Sequence, residues 1–189
     1  MLNARSLSEL LSQNRDERLC RRWYLMTPNG TLLAYSQPSD INDLRKQAAI
    51  AAICWQQHAF RDTQQASNGD HEDTIPQETE QRDLEVLTVE SAEENVIMRR
   101  VQKQLLLVLE GGVPPRRSHF AKRITAEGPD GTPPGVSEVD RTTADRSGDV
   151  ATNVLRVQRT KLDILAGAMM AEFQKTGFAM PESTGSMVF

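Results

Sequence analysis

The side chains best suited to bind a metal or drive nucleophilic chemistry are three histidines and two cysteines, and their spacing denies them both roles. Cys20, His71 and His119 stand far from one another and from the rest. Cys54 and His58 are four residues apart in one helical pattern, a pair without the third ligand that a metal site needs. His58 lies in a helical pattern and reads as a solvated or rim residue; His71 and His119 lie in tracts expected to be unfolded. Asp70-His71-Glu72-Asp73 is an acidic run, a weak chelator at best and a plain solvated loop by composition. There is no Gly-x-Ser-x-Gly elbow. Gly111-Gly112-Val113-Pro114-Pro115 is not a phosphate loop, because no Gly-Lys-Ser/Thr follows and its prolines remove backbone donors. The many carboxylates sit in loops, where nothing raises a pKa by burial. Arg99-Arg100 and Arg116-Arg117 lack interleaved aromatics, so they read as surface or partner contacts and not as a nucleic-acid site. No enzyme, cofactor or metal is expected.

The elements that would position any site form a small core with polar additions. The chain has 189 residues, one domain by length, yet only 38% are hydrophobic and net charge is −4. A mean hydropathy of −0.51 is low for a compact domain of this size and implies unfolded polar tracts. The charge gives no general reason to bind nucleic acid. The longest apolar run, Leu105–Leu109, is far too short to span a bilayer. The start, Met1 to Ser6, has neither a signal-peptide apolar region nor Met-Gly for acylation. Two scattered thiols suit a reducing compartment, so a cytosolic chain is expected, with any membrane address supplied by a partner.

Ser6-Leu7-Ser8-Glu9 fits a capping box, opening a short helix with Leu7, Leu10 and Leu11 on one side. Asn14 to Arg18 ends it. Asn29-Gly30 between two apolar runs predicts a hairpin of Arg22–Thr27 and Thr31–Ser36 with a type I′ turn. Trp23 and Leu25 point one way and Tyr24 and Met26 the other; Leu33 and Tyr35 oppose Leu32 and Ala34. Strands apolar on both faces are buried on both, so helices should cover each side of the sheet.

A second helix follows from Ser39 or Asp40, either a good N-cap. Ile41, Leu44, Ala48, Ala51, Ala52, Trp55 and Ala59 share one face; Ala49, Ile53 and Phe60 form a thinner stripe. The two stripes are one wide buried face, or else one lies on the sheet and the other meets a partner. Arg61–Asp83 is polar and acidic and is expected to be a flexible loop. Strands return at Leu84–Glu90, Asn95–Val101 and Gln104–Glu110; Gly111–Asp149, rich in proline and charge, reads as disordered. The last helix runs from about Val150 to Thr176, with Leu155, Leu162, Leu165, Met169 and Phe173 in one stripe. Val157, Ile164 and Ala168 make a neighbouring ridge, Gly177 is a C-cap and 181–189 a loose tail.

Four stretches resemble the roadblock/dynein light chain family. They are Met1-Leu2 with Leu7–Gln13, the hairpin Asn29–Ser36, the helix Ala48–Trp55 and the closing amphipathic helix. More narrowly, the chain looks like the roadblock subunit of the Ragulator complex and its counterpart in the fungal EGO complex. Both long polar loops depart from the animal pattern. The resemblance implies an α+β, α/β/α-layered roadblock fold in the order α-β-β-α-β-β-β-α. It has a five-stranded antiparallel sheet with one helix on one face and two on the other. The domain would occupy 1–180, with insertions at 61–83 and 111–149.

It also implies a non-enzymatic scaffold that pairs with a second roadblock-fold subunit through the third-strand edge and the second helix. Carried over, the contacts are Ala49, Ile53, Gln56, Phe60, Val86, Leu87 and Val89. An open edge strand is a hazard unless paired; the alternative is that a loop, such as part of Arg61–Asp83, covers it. In such assemblies a lipidated subunit holds the dimers at the lysosomal, late endosomal or vacuolar membrane. There they carry Rag-type GTPases for amino-acid signalling to TOR complex 1. The alternatives are a roadblock-type GTPase regulator, which needs an interface that positions the GTPase's own catalytic groups or supplies an arginine such as Arg99, Arg100, Arg116 or Arg117, and a dynein-associated light chain.

Overall fold

A computed structural model describes residues 3–59, 84–113, 120–129 and 146–181. The order is α1 (Ala4–Gln13), β1 (Arg22–Met26), β2 (Leu32–Tyr35), α2 (Ile41–Ala59), β3 (Val86–Glu90), β4 (Glu94–Gln102), β5 (Leu105–Gly112), β6 (Arg123–Glu127) and α3 (Arg146–Thr176). The six strands form one antiparallel sheet in the order β2-β1-β5-β4-β3-β6. Trp23, Leu25, Ile97, Leu105, Leu107 and Leu109 face α1 and α3, whose Leu11, Leu162, Leu165, Met169 and Phe173 close that core. Tyr24, Met26, Leu87, Met98, Leu106 and Val108 face α2, meeting Leu44, Ala48, Ala51, Ala52 and Trp55. The fold is thus α+β and three-layered, with one helix on one face and two on the other. Each fully buried leucine contributes roughly 2 kcal/mol of apolar transfer.

Several local expectations change. The sheet has six strands, not five: β6 lies inside the stretch read as disordered and pairs Arg123–Glu127 with β3. Its reason for being a strand is the neighbouring edge, which its own sequence does not reveal. α1 is capped by Asn3, whose side chain accepts from Ser6 N at 3.2 Å, so Ser6 is inside the helix and not its cap. The hairpin turn is a three-residue loop, not type I′. Gly30 N donates to Thr27 O and Thr27 N to Thr31 O, both at 2.9 Å, with Gly30 at φ +87°. A bulge also interrupts strict alternation. Leu25 pairs with Ala34 and Met26 with Leu32, so Leu33 is the extra residue and joins Ala34 on the α1/α3 side. Phe60, 61–83 and 182–189 lie outside the described residues.

Other expectations hold in detail. Asp40 caps α2, its side chain accepting from Asn42 N at 2.8 Å. Gly177 at φ +63° closes α3 in a Schellman motif: Phe178 N bonds Phe173 O at 2.9 Å and Gly177 N bonds Gln174 O at 3.2 Å. The Phe173 and Phe178 rings add the apolar contact of that motif, 5.1 Å between centroids.

The far end of β5 is fixed by a buried amide. Gln158 of α3 is fully buried; its Nε2 donates to Leu19 O at 2.8 Å and to Gly112 O at 2.9 Å. Its Oε1 accepts from Asn95 Nδ2 at 2.8 Å. One side chain so joins α3, β4, β5 and the α1–β1 connection. The backbone must come close for this, and a Cβ on Gly111 would collide with Gln158 and Leu19 O. Gln158→Ala leaves two carbonyls and an amide unpaired and should cost roughly 3 kcal/mol in urea unfolding. Thr160→Ala, on the exposed side of the same helix, should cost about 0.5 kcal/mol or less.

Candidate partner-binding face

The two ends of the sheet are finished differently. β2, at one end, lies under α1. Ser8 Oγ accepts from Tyr35 N at 3.3 Å and Ser12 Oγ from Gln37 N at 2.8 Å, so serine hydroxyls satisfy the donors of that edge. At the other end β6 is the last strand, and among the described residues nothing pairs with its outer side. Arg159 of α3 anchors β6 through two bonds to Glu127, at 3.1 and 2.8 Å. The third-strand edge expected to be open is therefore taken by β6, and the free edge lies one strand further out.

The seven residues proposed as partner contacts are not all on one surface. Ala49 and Ile53 stand on the outward side of α2, Ile53 56% exposed. Gln56 is exposed but spends a donor inside the chain, on Pro28 O at 3.1 Å, which ties the hairpin turn to α2. Val86 is buried on the α1/α3 side, whereas Leu87 and Val89 lie on the α2 side. Phe60 is outside the described residues.

Sequence periodicity missed Ile50, 54% exposed, and Ile124 of β6, 39% exposed. Ile124 sits opposite Val89, and directly opposed residues share a sheet face. Between Ile50 and Val89 runs a crevice of about 190 Å³ floored by Tyr24, Val96 and Met98, with Cys54 on its wall. The crevice is also lined by Gln47, Ser91, Glu94 and Lys122; Ile53 lies one turn from Ile50 on α2, and Ile124 stands beside Val89 on the same sheet face. The earlier signal was there: the alanine-rich helix is too thin to cover six strands.

Polar groups gather at one end of this face. Glu110, 5% exposed, lies 3.5 Å from Arg22, which also bonds Asp43 at 2.6 Å. Burial raises the Glu110 carboxyl above its ordinary range, with Arg22 and the Tyr24 hydroxyl opposing that shift. Burial, then the Glu110 charge, pushes the Tyr24 phenol well up. The basic pair on β4 is engaged elsewhere. Arg99 meets Asp163, and Glu85 at 3.1 Å, while the Arg100 guanidinium sits 5.7 Å from the Trp55 ring centroid. His58 is half-buried within α2; His71, His119, Arg116 and Arg117 lie outside the described residues.

No family model and no curated protein matches the chain. Among solved structures it is similar to a Roadblock/LC7 domain from Streptomyces avermitilis, at 13% identity and a TM-score of 0.41, over 83% of this chain and 95% of that one. It is similar to Myxococcus xanthus MglB at 12% identity and a TM-score of 0.47, over 92% and 99%. A structure described as MglB with tetrameric arrangement matches at 16% identity and 0.38, over 58% and 72%.

Glu110 sets a pH dependence whose sign follows from its raised pKa. The folded state holds the proton more tightly than the unfolded one, so this group's contribution is complete below the ordinary value of 4.5. It is lost as pH rises from there through the folded value. Glu110→Gln should therefore melt above the parent at pH 7, with the gap closing below pH 4.5. A variant that melts lower at pH 7 would show that the Arg22 contact outweighs burial.

Proposed function

We propose that this chain is a non-enzymatic, roadblock-type scaffold that works by pairing its α2 face with a second roadblock-fold subunit. Supporting this are the one-helix, two-helix layering expected from the family resemblance and an element order that differs from the expected one only by the added strand β6. The observation that carries it is the asymmetry of the sheet among the described residues: serine hydroxyls of α1 bond the β2 end, whereas nothing described pairs with the outer side of β6, and Ile50, Ile53 and Ile124 are exposed on the α2 side. Ala49, Ile50, Ile53 and Ile124 are the contacts of this reading. Val89 floors them, and the buried Val86 and Leu87 act by shaping β3.

The narrower role we propose is that of a Ragulator/EGO-type subunit. A lipidated partner would recruit it to the cytoplasmic face of the lysosomal, late endosomal or vacuolar membrane. There it would carry Rag-type GTPases for signalling to TOR complex 1. The hairpin and the alanine-rich helix support this choice within the family. The alternative is a roadblock-type GTPase regulator; Arg99 and Arg100 are engaged inside the chain, so an arginine donated to a GTPase would come from elsewhere, such as Arg116 or Arg117, which lie outside the described residues.

Light scattering on the chain alone and mixed with a second roadblock-fold protein tests the pairing. A one-to-one complex should form, and Ile53→Asp should weaken it roughly ten-fold or more. A stable homodimer that tolerates both Ile50→Asp and Ile53→Asp would contradict the proposal.

A further inference from the structure

The crevice on the α2 side has a chemistry of its own, apart from the exposed isoleucines around it. Val89, Val96 and Met98 form its sheet wall, and Ile50, Ala51 and Cys54 its helix wall. Tyr24 also lines it, although it stands on β1, with β5 between it and the β4 and β3 residues of that wall. Neighbouring strands lie ~4.8 Å apart, so the ring must reach across β5, and its hydroxyl end is the part that arrives at the crevice. That hydroxyl is unsatisfied. Tyr24 is fully buried, and its Oη has no hydrogen-bond partner among the described residues. Glu110 of β5 is buried beside it; Arg22 takes Oε2 at 3.5 Å, whereas Oε1 is likewise without a partner. The two groups are near enough to shift each other's titration, yet they stand outside hydrogen-bond geometry. Buried polar atoms are seldom left this way, and a pair of them at the end of an apolar crevice marks the place for a ligand's polar atom.

Size, wall chemistry and the polar pair together define the ligand. The space, about 190 Å³, exceeds the roughly 150 Å³ of an apolar cavity that takes up benzene, so it holds one ring. Met98 favours a ring over an alkyl chain, since a thioether packs well at an aromatic edge. The ligand's polar atom must accept from Tyr24, because a phenol keeps its proton at neutral pH. It must also donate to a carboxylate, either Glu110 or Glu94 at the rim. A hydroxyl does both. An ammonium offers the Tyr24 proton no acceptor, and a carboxylate would face Glu94 and Glu110. No group of three His, Cys, Asp or Glu among the described residues is placed to hold a metal ion. A lone water would serve the polar pair and leave the apolar walls unfilled.

We infer that this crevice is a binding site for a phenol group, one aromatic ring seated between α2 and the sheet whose hydroxyl accepts from Tyr24 and donates to Glu110 or Glu94. The inference does not rest on the pairing proposed above, because this chain alone carries every residue of the site. The probes are 4-fluorophenol, fluorobenzene and 4-fluorobenzylamine, each titrated with the full chain by fluorine NMR. 4-Fluorophenol should bind roughly five-fold or more tightly than either of the others. Tyr24→Phe should erase its advantage over fluorobenzene. The same variant should melt no lower than the parent, since it removes only an unpaired buried hydroxyl. Cys54→Leu, which narrows the crevice, should weaken both. Absence of 4-fluorophenol binding, equal binding of 4-fluorophenol and fluorobenzene, or a preference that survives Tyr24→Phe would overturn the inference. So would tighter binding of the amine, or binding indifferent to Cys54→Leu. Adding a second roadblock-fold protein separates the two sources of such a group. A complex that no longer takes 4-fluorophenol assigns the phenol to a tyrosine of the partner; one that still takes it assigns a free small molecule.

Discussion

Strand β5 is the constraint from which the rest of the structure follows. All eight of its residues are buried, and it is hydrogen-bonded on both sides, to β1 and β4. A strand apolar on both faces cannot stand at a surface, so the chain must build a helical layer above and below it. Its last residues, Glu110, Gly111 and Gly112, are where that burial becomes expensive. There the structure answers with Arg22 on one face and the Gln158–Asn95 amide pair on the other. The glycines are needed because the α1–β1 connection and Gln158 approach the backbone too closely for a Cβ.

Much of this was legible in the sequence because it rests on local periodicity. The two-faced apolar runs of β1 and β5 announced the layers, and the Ile41 to Ala59 stripe of α2 is buried at each position except its first residue, Ile41, which is half-buried. The α3 core stripe and the Gly177 cap were equally readable. What was not legible depends on partners distant in the chain. Arg123–Glu127 is a strand because β3 offers it an edge, and nothing within its five residues demands that. The bulge at Leu33 arises from pairing with β1, and the three-residue turn from how Thr27 and Thr31 meet. The candidate site was half visible for the same reason. Ile53 follows from helical spacing, but Ile50 and Ile124 become a surface only when β6 extends the sheet past the cover that α2 provides.

The result is a plate with two unlike outward faces. One is the α2 side, where Ile50, Ile53 and Ile124 are exposed and, among the described residues, nothing pairs with the outer side of β6. The other is the back of α3, where Val150, Val157 and Ile164 are exposed among polar residues. Polar groups between them are committed to holding the layers together: Arg99 and Arg159 tie α3 to the β3–β6 end, and Gln158 ties it to the centre. A molecule organised this way is suited to being held from its α2 side. That is the physical content of the scaffold reading, whatever assembly it serves.

Amide hydrogen exchange, compared between the chain alone and the chain mixed with a second roadblock-fold protein, tests the central claim most directly. The account predicts new protection over Gln47–Gln57 of α2 and Arg123–Glu127 of β6, with α1 and the β2 edge unchanged. Protection confined to α1, or none on α2 and β6 in a complex shown to have formed, would contradict it.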